Sequence, residues 1–159
     1  MSAIISSGKL RPDITIELKN YNQPKAVLAH HFGKQKLIKD TLAVENGRVH
    51  IHPDEPMYGG VYLLVLLPSN NYFEFLINEE DPFRLETDVN NPVSSMKIKG
   101  SRENEVFYEY IRATAEEGRQ VQRLTKQIQH ADTTGNQEKV KELRQELQAI
   151  NDRASDKRQ

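Results

Sequence analysis

Along the first hundred residues, apolar and polar positions alternate in short runs cut by turn residues; beyond them, apolar positions recur three and four apart. Ile14, Ile16 and Leu18 alternate with polar neighbours, as a half-buried strand requires. Residues 27–32 and 37–44 give two more strands, with Gly33-Lys34-Gln35-Lys36 as a hairpin loop between them. Asn46-Gly47 is the strongest tight-turn signal, because both central residues of a type I′ turn need positive φ; it joins the run ending at Val44 to Val49 and Ile51. Gly59-Gly60 precedes the continuous apolar run 61–67, which reads as a strand buried on both faces. Asn70-Asn71 turns into residues 72–77, residues 78–82 turn into Phe83, Leu85 and Thr87, and a last short strand covers 96–99. Seven or eight strands at this spacing, with no room for helical crossovers, predict an antiparallel β-sandwich or open barrel.

Ser101 can cap the helix that follows, and Glu103 and Glu105 sit where the helix dipole favours negative charge. Val106, Phe107, Tyr110 and Ile111 form an apolar face expected to dock on the β body, and residues 114–118 weaken it enough to predict a bend or partial detachment. Val121, Leu124, Ile128 and Ala131 are spaced 3, 4, 3; Val140, Leu143, Leu147 and Ile150 repeat that spacing after the break at 132–136. Two matched seams joined by a polar loop predict an antiparallel helical hairpin, with helices over about 102–131 and about 137–154. The seam residues Val121, Leu124, Ile128, Val140, Leu143, Leu147 and Ile150 are the candidate interaction surface, able to zip to each other or to a partner.

Composition sharpens this division. All seven prolines and six of the eight glycines lie at or before Gly100, no aromatic residue follows Tyr110, and residues 101–159 carry 11 basic and 11 acidic side chains. The predicted domains are therefore 1–100, β-sandwich-like, and 101–159, helical. The formal net charge of −1 argues against nucleic-acid binding by bulk charge. The chain has no cysteine, which excludes disulfides, thiolate metal sites and thiol redox chemistry carried by its own residues. No run of apolar residues is long enough to span a bilayer. The Met1-Ser2-Ala3 start fits either a cytosolic protein or a chain freed of an export signal.

Candidate chemistry is sparse. His50 and His52 lie two apart on a predicted strand, so both imidazoles share a face and could chelate a divalent metal; as rim histidines on a solvated strand they would do nothing of the kind. The lack of any His-Glu-x-x-His spacing favours the second reading, and neither a metal nor any other cofactor is expected. His30 and His31 are adjacent and face opposite sides. Asp54-Glu55 and Glu79-Glu80-Asp81 flank turns, where acidic residues serve solubility. Tyr58, Tyr62, Tyr72, Phe73 and Phe75 could line a ligand groove, although cross-strand core packing is the commoner use of such residues. No Gly-x-Ser-x-Gly or phosphate-binding loop is present.

Three segments carry a resemblance: residues 39–49 (KDTLAVENGRV), 72–77 (YFEFLI) and 98–110 (IKGSRENEVFYEY). The pattern D-T-x-x-V-x-N-G-x-V followed by G-S-x-E-N-x-x-F-x-x-Y resembles the N-terminal β-rich domain, of unknown function, of exported bacterial thiol–disulfide oxidoreductases and isomerases that carry a C-terminal thioredoxin-like domain. It extends over roughly residues 8–150. The resemblance implies a non-catalytic accessory module that positions a covalently following thioredoxin-like domain or recruits its substrate, in the periplasm or outer envelope of a Gram-negative bacterium. It implies no catalytic residue here, because the family's activity belongs to a Cys-x-x-Cys motif. The competing expectation is a stand-alone ligand- or protein-binding sandwich that forms a homodimer through its helical hairpin, with the cytoplasm as the alternative location.

Overall fold

A computed structural model describes residues 9–32 and 35–157. Among them, ten strands precede two helices: β1 (Lys9–Leu10), β2 (Ile14–Lys19), β3 (Lys25–Phe32), β4 (Gln35–Ala43), β5 (Arg48–Ile51), β6 (Met57–Tyr58), β7 (Gly60–Leu66), β8 (Asn71–Ile77), β9 (Phe83–Asp88), β10 (Lys97–Lys99), α1 (Arg102–Thr133) and α2 (Gln137–Lys157). Two four-stranded sheets, ordered β10-β9-β2-β5 and β4-β3-β7-β8, are accompanied by a separate two-stranded β1-β6 ribbon, and neither sheet closes into a barrel. Of the predicted Gly33–Lys36 hairpin loop, Gly33 and Lys34 lie outside the described residues, and Gln35 and Lys36 belong to β4, whose Gln35 pairs with Phe32. No helix among the described residues is long and apolar enough to cross a membrane.

The alternation read along the chain becomes the core. In the first sheet Ile14, Ile16, Val49, Ile51, Phe83 and Leu85 are buried on one face; in the second, Ala26, Leu28, Tyr62, Leu64, Leu66, Phe73, Phe75 and Ile77 are. Leu63, on the opposite face of β7, is also fully buried, but Val61 and Val65 on that face are only half-buried, so the two-sided burial expected of residues 61–67 is met there at Leu63 alone. One expectation needs correction. The pairing is not wholly antiparallel, because β2 and β9 run parallel from Ile14–Phe83 to Lys19–Asp88. The crossover argument holds for strands that follow closely in sequence; here the whole second sheet lies between β2 and β9 and serves as the connection. The two-residue strands β1 and β6 were too short to leave a periodic signal.

Asn46 (φ 53°) and Gly47 (φ 73°) adopt the predicted left-handed conformations. The turn does not close a hairpin ladder, however: β4 pairs with β3 and β5 with β2, and a single Glu45–Arg48 bridge spans it. It carries the chain from one sheet to the other. The Gly47 carbonyl accepts from Leu18 N–H at 2.7 Å, and a Cβ at Gly47 would stand 2.7 Å from the Leu18 carbonyl oxygen, so only glycine fits.

α1 continues through residues 114–118 as one helix. Its first turns meet the open edge of β8 through Asn104 and Tyr108, which were not among the predicted docking residues; of those predicted, Phe107 and Ile111 are half-buried. Val106 (46% exposed) and Tyr110 (58%) face solvent, while Tyr108 and Asn104 are almost completely buried. The Asn104 amide pairs with the Leu76 backbone like a neighbouring strand: Leu76 N–H donates to Oδ1 at 2.8 Å and Nδ2 donates to the Leu76 carbonyl at 3.0 Å. Ser101 Oγ accepts from both Asn104 N–H (3.2 Å) and Nδ2 (3.0 Å), which caps the helix as predicted and fixes which end of the amide is which. One turn on, Tyr108 donates its hydroxyl to the Glu74 carbonyl.

Two compact units result, residues up to Glu109 and Tyr110 onward, with the boundary between them inside α1. In the second unit α1 ends in a Schellman arrangement: Gly135 (φ 77°) donates to the Asp132 carbonyl and Asn136 N–H to the Ala131 carbonyl. Asn136 Oδ1 then accepts from Lys139 N–H and caps α2. Leu124, Ala131, Val140, Leu143 and Ile150 form the hairpin core, with Val121, Ile128 and Leu147 packed against it.

The Asn104 joint makes a specific prediction. Asn104→Ala strands the Leu76 N–H and C=O, and the isosteric Asn104→Asp presents a charged oxygen to the Leu76 carbonyl; each should cost about 2–4 kcal/mol in urea unfolding. Val106→Ala, on the exposed side of the same helix, should stay within about 0.5 kcal/mol. Equal losses at the two positions would show that the joint contributes nothing special.

Candidate functional site

The polar groups fall into a few clusters. The largest is on the solvent face of the β10-β9-β2-β5 sheet. Glu17, central in β2, holds Arg48 of β5 at 2.9 Å and also binds Arg84 of β9. Glu86 of β9 lies opposite Glu17 in the parallel register and is approached by Lys19 (3.5 Å) and Lys97 (3.7 Å). Each carboxylate thus bridges two cations from neighbouring strands. The Arg48 hydrogen bond, with the nearby Arg84 and Arg48 charges, lowers the Glu17 pKa below the usual carboxylate range despite an opposing effect of burial. At the end of the same sheet, the Asn90 backbone N–H and the Asn20 side chain lower the pKa of Asp88.

His50 in β5 and His52, one residue past its end, stand side by side, as the spacing predicts. Their rings lie 5.8 Å apart and nearly parallel. His50 Nε2 is 2.6 Å from Asp13 Oδ1, and His52 Nδ1 is 3.0 Å from the Pro12 carbonyl. Among the described residues, no group of three His, Asp or Glu side chains could hold a metal ion. Asp13 is the residue that sequence reasoning missed; it lies 37 positions from His50, and only the β2–β5 register brings them together. His31 Nε2 meets Glu74 Oε2 at 2.7 Å, whereas His30, on the other face, stacks on Tyr62 with ring centres 4.3 Å apart.

The aromatic residues do not form one groove. Tyr62, Phe73 and Phe75 are buried in the core, while Tyr58 and Tyr72 are exposed. The Tyr62 hydroxyl donates to the Tyr58 carbonyl, and burial pushes its pKa up to about 12, so it is a fixed donor. Asp54-Glu55 and Glu79-Glu80-Asp81 lie at the surface, where Glu80 accepts from Arg11 N–H at 2.8 Å. The seam residues Val121, Leu124, Ile128, Val140, Leu143, Leu147 and Ile150 pack on one another within a single chain.

The residues that carry the sequence pattern are used architecturally. Ser101 and Asn104 make the joint to β8, and Glu103 Oε1 accepts from Asn78 Nδ2 at 2.6 Å. Gly100 has a φ of 91°, and a Cβ there would lie 3.0 Å from the Pro82 carbonyl oxygen.

A domain of unknown function, DUF4369, matches residues 13–107, and the chain belongs to this family. The match begins beside β2 and ends within the first two turns of α1, so it contains both sheets and most of the joint, and stops short of the hairpin. No curated protein and no solved structure matches the chain.

The Glu17 pairs predict an acid-limb effect. Because folding lowers the Glu17 pKa from 4.5, its ion pairs stabilise the fold above that value and are lost as pH falls through the folded-state pKa. Glu17→Gln should therefore flatten the dependence of Tm on pH below about pH 5. Parallel acid limbs for the two proteins would show that these pairs add no net stability.

Proposed function

We propose that this chain is a non-catalytic accessory module of a periplasmic or outer-envelope thiol–disulfide oxidoreductase or isomerase, positioning a following thioredoxin-like domain or recruiting its substrate. The observation that carries the reading is the use of the patterned residues. Gly100, Ser101, Glu103 and Asn104 fasten the start of α1 to the sheets, and Asn46-Gly47 carries the chain between them. The histidines and sheet carboxylates described above are engaged by ion pairs, backbone carbonyls and ring stacking, an arrangement suited to a scaffold. With no cysteine in the chain, thiol exchange belongs to another domain.

A stand-alone protein- or ligand-binding module is the second reading. It is favoured by the outer face of the β4-β3-β7-β8 sheet, where Val27, Val61, Val65 and Leu76 are half-buried around Leu63 and exposed Tyr72 lies on the same face.

The two readings separate on the size and thiol content of the native protein. Immunoblots of source-cell fractions, reduced and treated with a thiol-alkylating mass tag, should show an envelope-associated band well above 18.3 kDa that the tag shifts. A band at 18.3 kDa that the tag leaves in place overturns the accessory reading and leaves the binding module.

A further inference from the structure

We propose that Asn46 is a site of spontaneous self-modification, where the chain converts its own carboxamide to an isoaspartyl or aspartyl carboxylate and loosens the link between the two sheets. The reaction needs an asparagine carboxamide free to reach the next residue's backbone nitrogen, and that nitrogen must be uncrowded. Asn46 meets both needs. Its side chain is exposed, and among the described residues no hydrogen bond engages it or the Gly47 N–H. Gly47 brings no side chain to crowd its own nitrogen. A surface hollow lined by Glu45, Asn46, Arg48 and His50 admits the water that completes the conversion.

The other asparagines lack one feature or the other. Asn20 donates to Asp88, Asn78 donates to Glu103, Asn104 is buried in its clamp, and Asn136 Oδ1 caps α2. Asn22, Asn70, Asn71, Asn90 and Asn151 each precede a residue whose side chain crowds the attacking nitrogen, and Asn91 precedes Pro92, whose nitrogen has no proton to lose. Thermolabile asparagine chemistry therefore concentrates at one turn.

The only co-reactant is water. As the Gly47 N–H gives its proton to hydroxide, the nitrogen attacks Asn46 Cγ; the Cγ–Nδ2 bond breaks, and Nδ2 leaves as ammonia with a proton from water. Water then opens the cyclic imide at one of its two carbonyls. Cleavage at Cγ gives aspartate; cleavage at the backbone carbonyl gives isoaspartate, whose main chain runs through Cβ and Cγ and is one carbon longer. The left-handed conformation of Asn46 (φ 53°) holds the Gly47 nitrogen away from Cγ, so the peptide must rotate before it reacts. The folded turn resists. Glu45 and Arg48 exchange backbone hydrogen bonds of 3.0 and 2.9 Å, and Leu18 N–H holds the Gly47 carbonyl at 2.7 Å. Conversion therefore waits on local opening of the turn. The longer isoaspartyl chain cannot restore these bonds, at the point where the chain passes from β4 to β5.

Ageing the purified protein in mildly alkaline buffer, with peptide mapping by mass spectrometry and an isoaspartate assay, tests the proposal. Isoaspartate should accumulate at Asn46 ahead of every other asparagine. A synthetic peptide of residues 42–51 should convert roughly tenfold faster than the folded chain, as a step gated by opening requires. Asn46→Gly, which accepts the same positive φ but has no carboxamide, should release no ammonia from this turn. The isoaspartyl protein, separated by ion exchange, should unfold at lower urea than Asn46→Asp, which carries the added charge without the extra carbon. The proposal falls if Asn46 stays intact in the folded chain while the peptide converts, if other asparagines convert as fast, or if the isoaspartyl form unfolds like Asn46→Asp.

Discussion

The edge of β8 is where the fold could most easily fail, and the first two turns of α1 resolve it. An edge strand presents unpaired N–H and C=O groups that must find partners or invite another chain. On this edge the groups of alternate residues, Leu76 and Glu74, point the same way, about 6.6–6.8 Å apart along the strand. Helix residues four apart advance about 6 Å. Asn104 and Tyr108 therefore keep step with Leu76 and Glu74, and a helix can satisfy a sheet edge without itself being a strand. The side-chain amide of Asn104 mimics a peptide group, and the Ser101 hydroxyl orients it by accepting from its nitrogen.

This joint sits at the end of a chain path whose bends are also specified locally. Asn46-Gly47 turns the chain out of the second sheet, and Gly47 must be bare because the Leu18 backbone approaches it closely. Gly100 does the same before α1, where the Pro82 carbonyl and Phe83 crowd the backbone. Between these bends the parallel β2–β9 pair closes the first sheet, with β5 and β10 as its edges. Ser101 and Asn104 reach the Leu76 edge only if Gly100 directs the chain there, so the turn and the clamp are parts of one device.

Periodicity made most of this architecture legible. The strands, the apolar rows, the Asn46-Gly47 turn, the Ser101 cap and the hairpin seam all rest on short-range patterns, which strand alternation and helix pitch impose directly. What escaped notice depends on pairing between distant segments. The β2–β9 direction and the Asp13–His50 contact are set by register, and no local window contains it. The docking residues of α1 were misread for a related reason. Apolar character singled out Val106, Phe107, Tyr110 and Ile111, of which Val106 and Tyr110 are exposed, but a sheet edge calls for hydrogen-bonding groups, and Asn104 and Tyr108 supply them.

The two outer sheet faces are chemically unlike, and that contrast bears on what each can do. On the first sheet Glu17 and Glu86 each gather two cations, so the face is charged yet largely self-neutralised. Such exposed pairs add little stability one by one, but together they keep the surface solvated and make another hydrophobic layer there unfavourable. On the second sheet Val27, Val61, Val65 and Leu76 surround buried Leu63, with the His31–Glu74 pair reaching across. Of the two faces, the second is the one suited to association by apolar burial, and the first to recognition by charge. The same alternation that builds the core between the sheets therefore also sorts the remaining side chains into two surfaces with separate chemical possibilities.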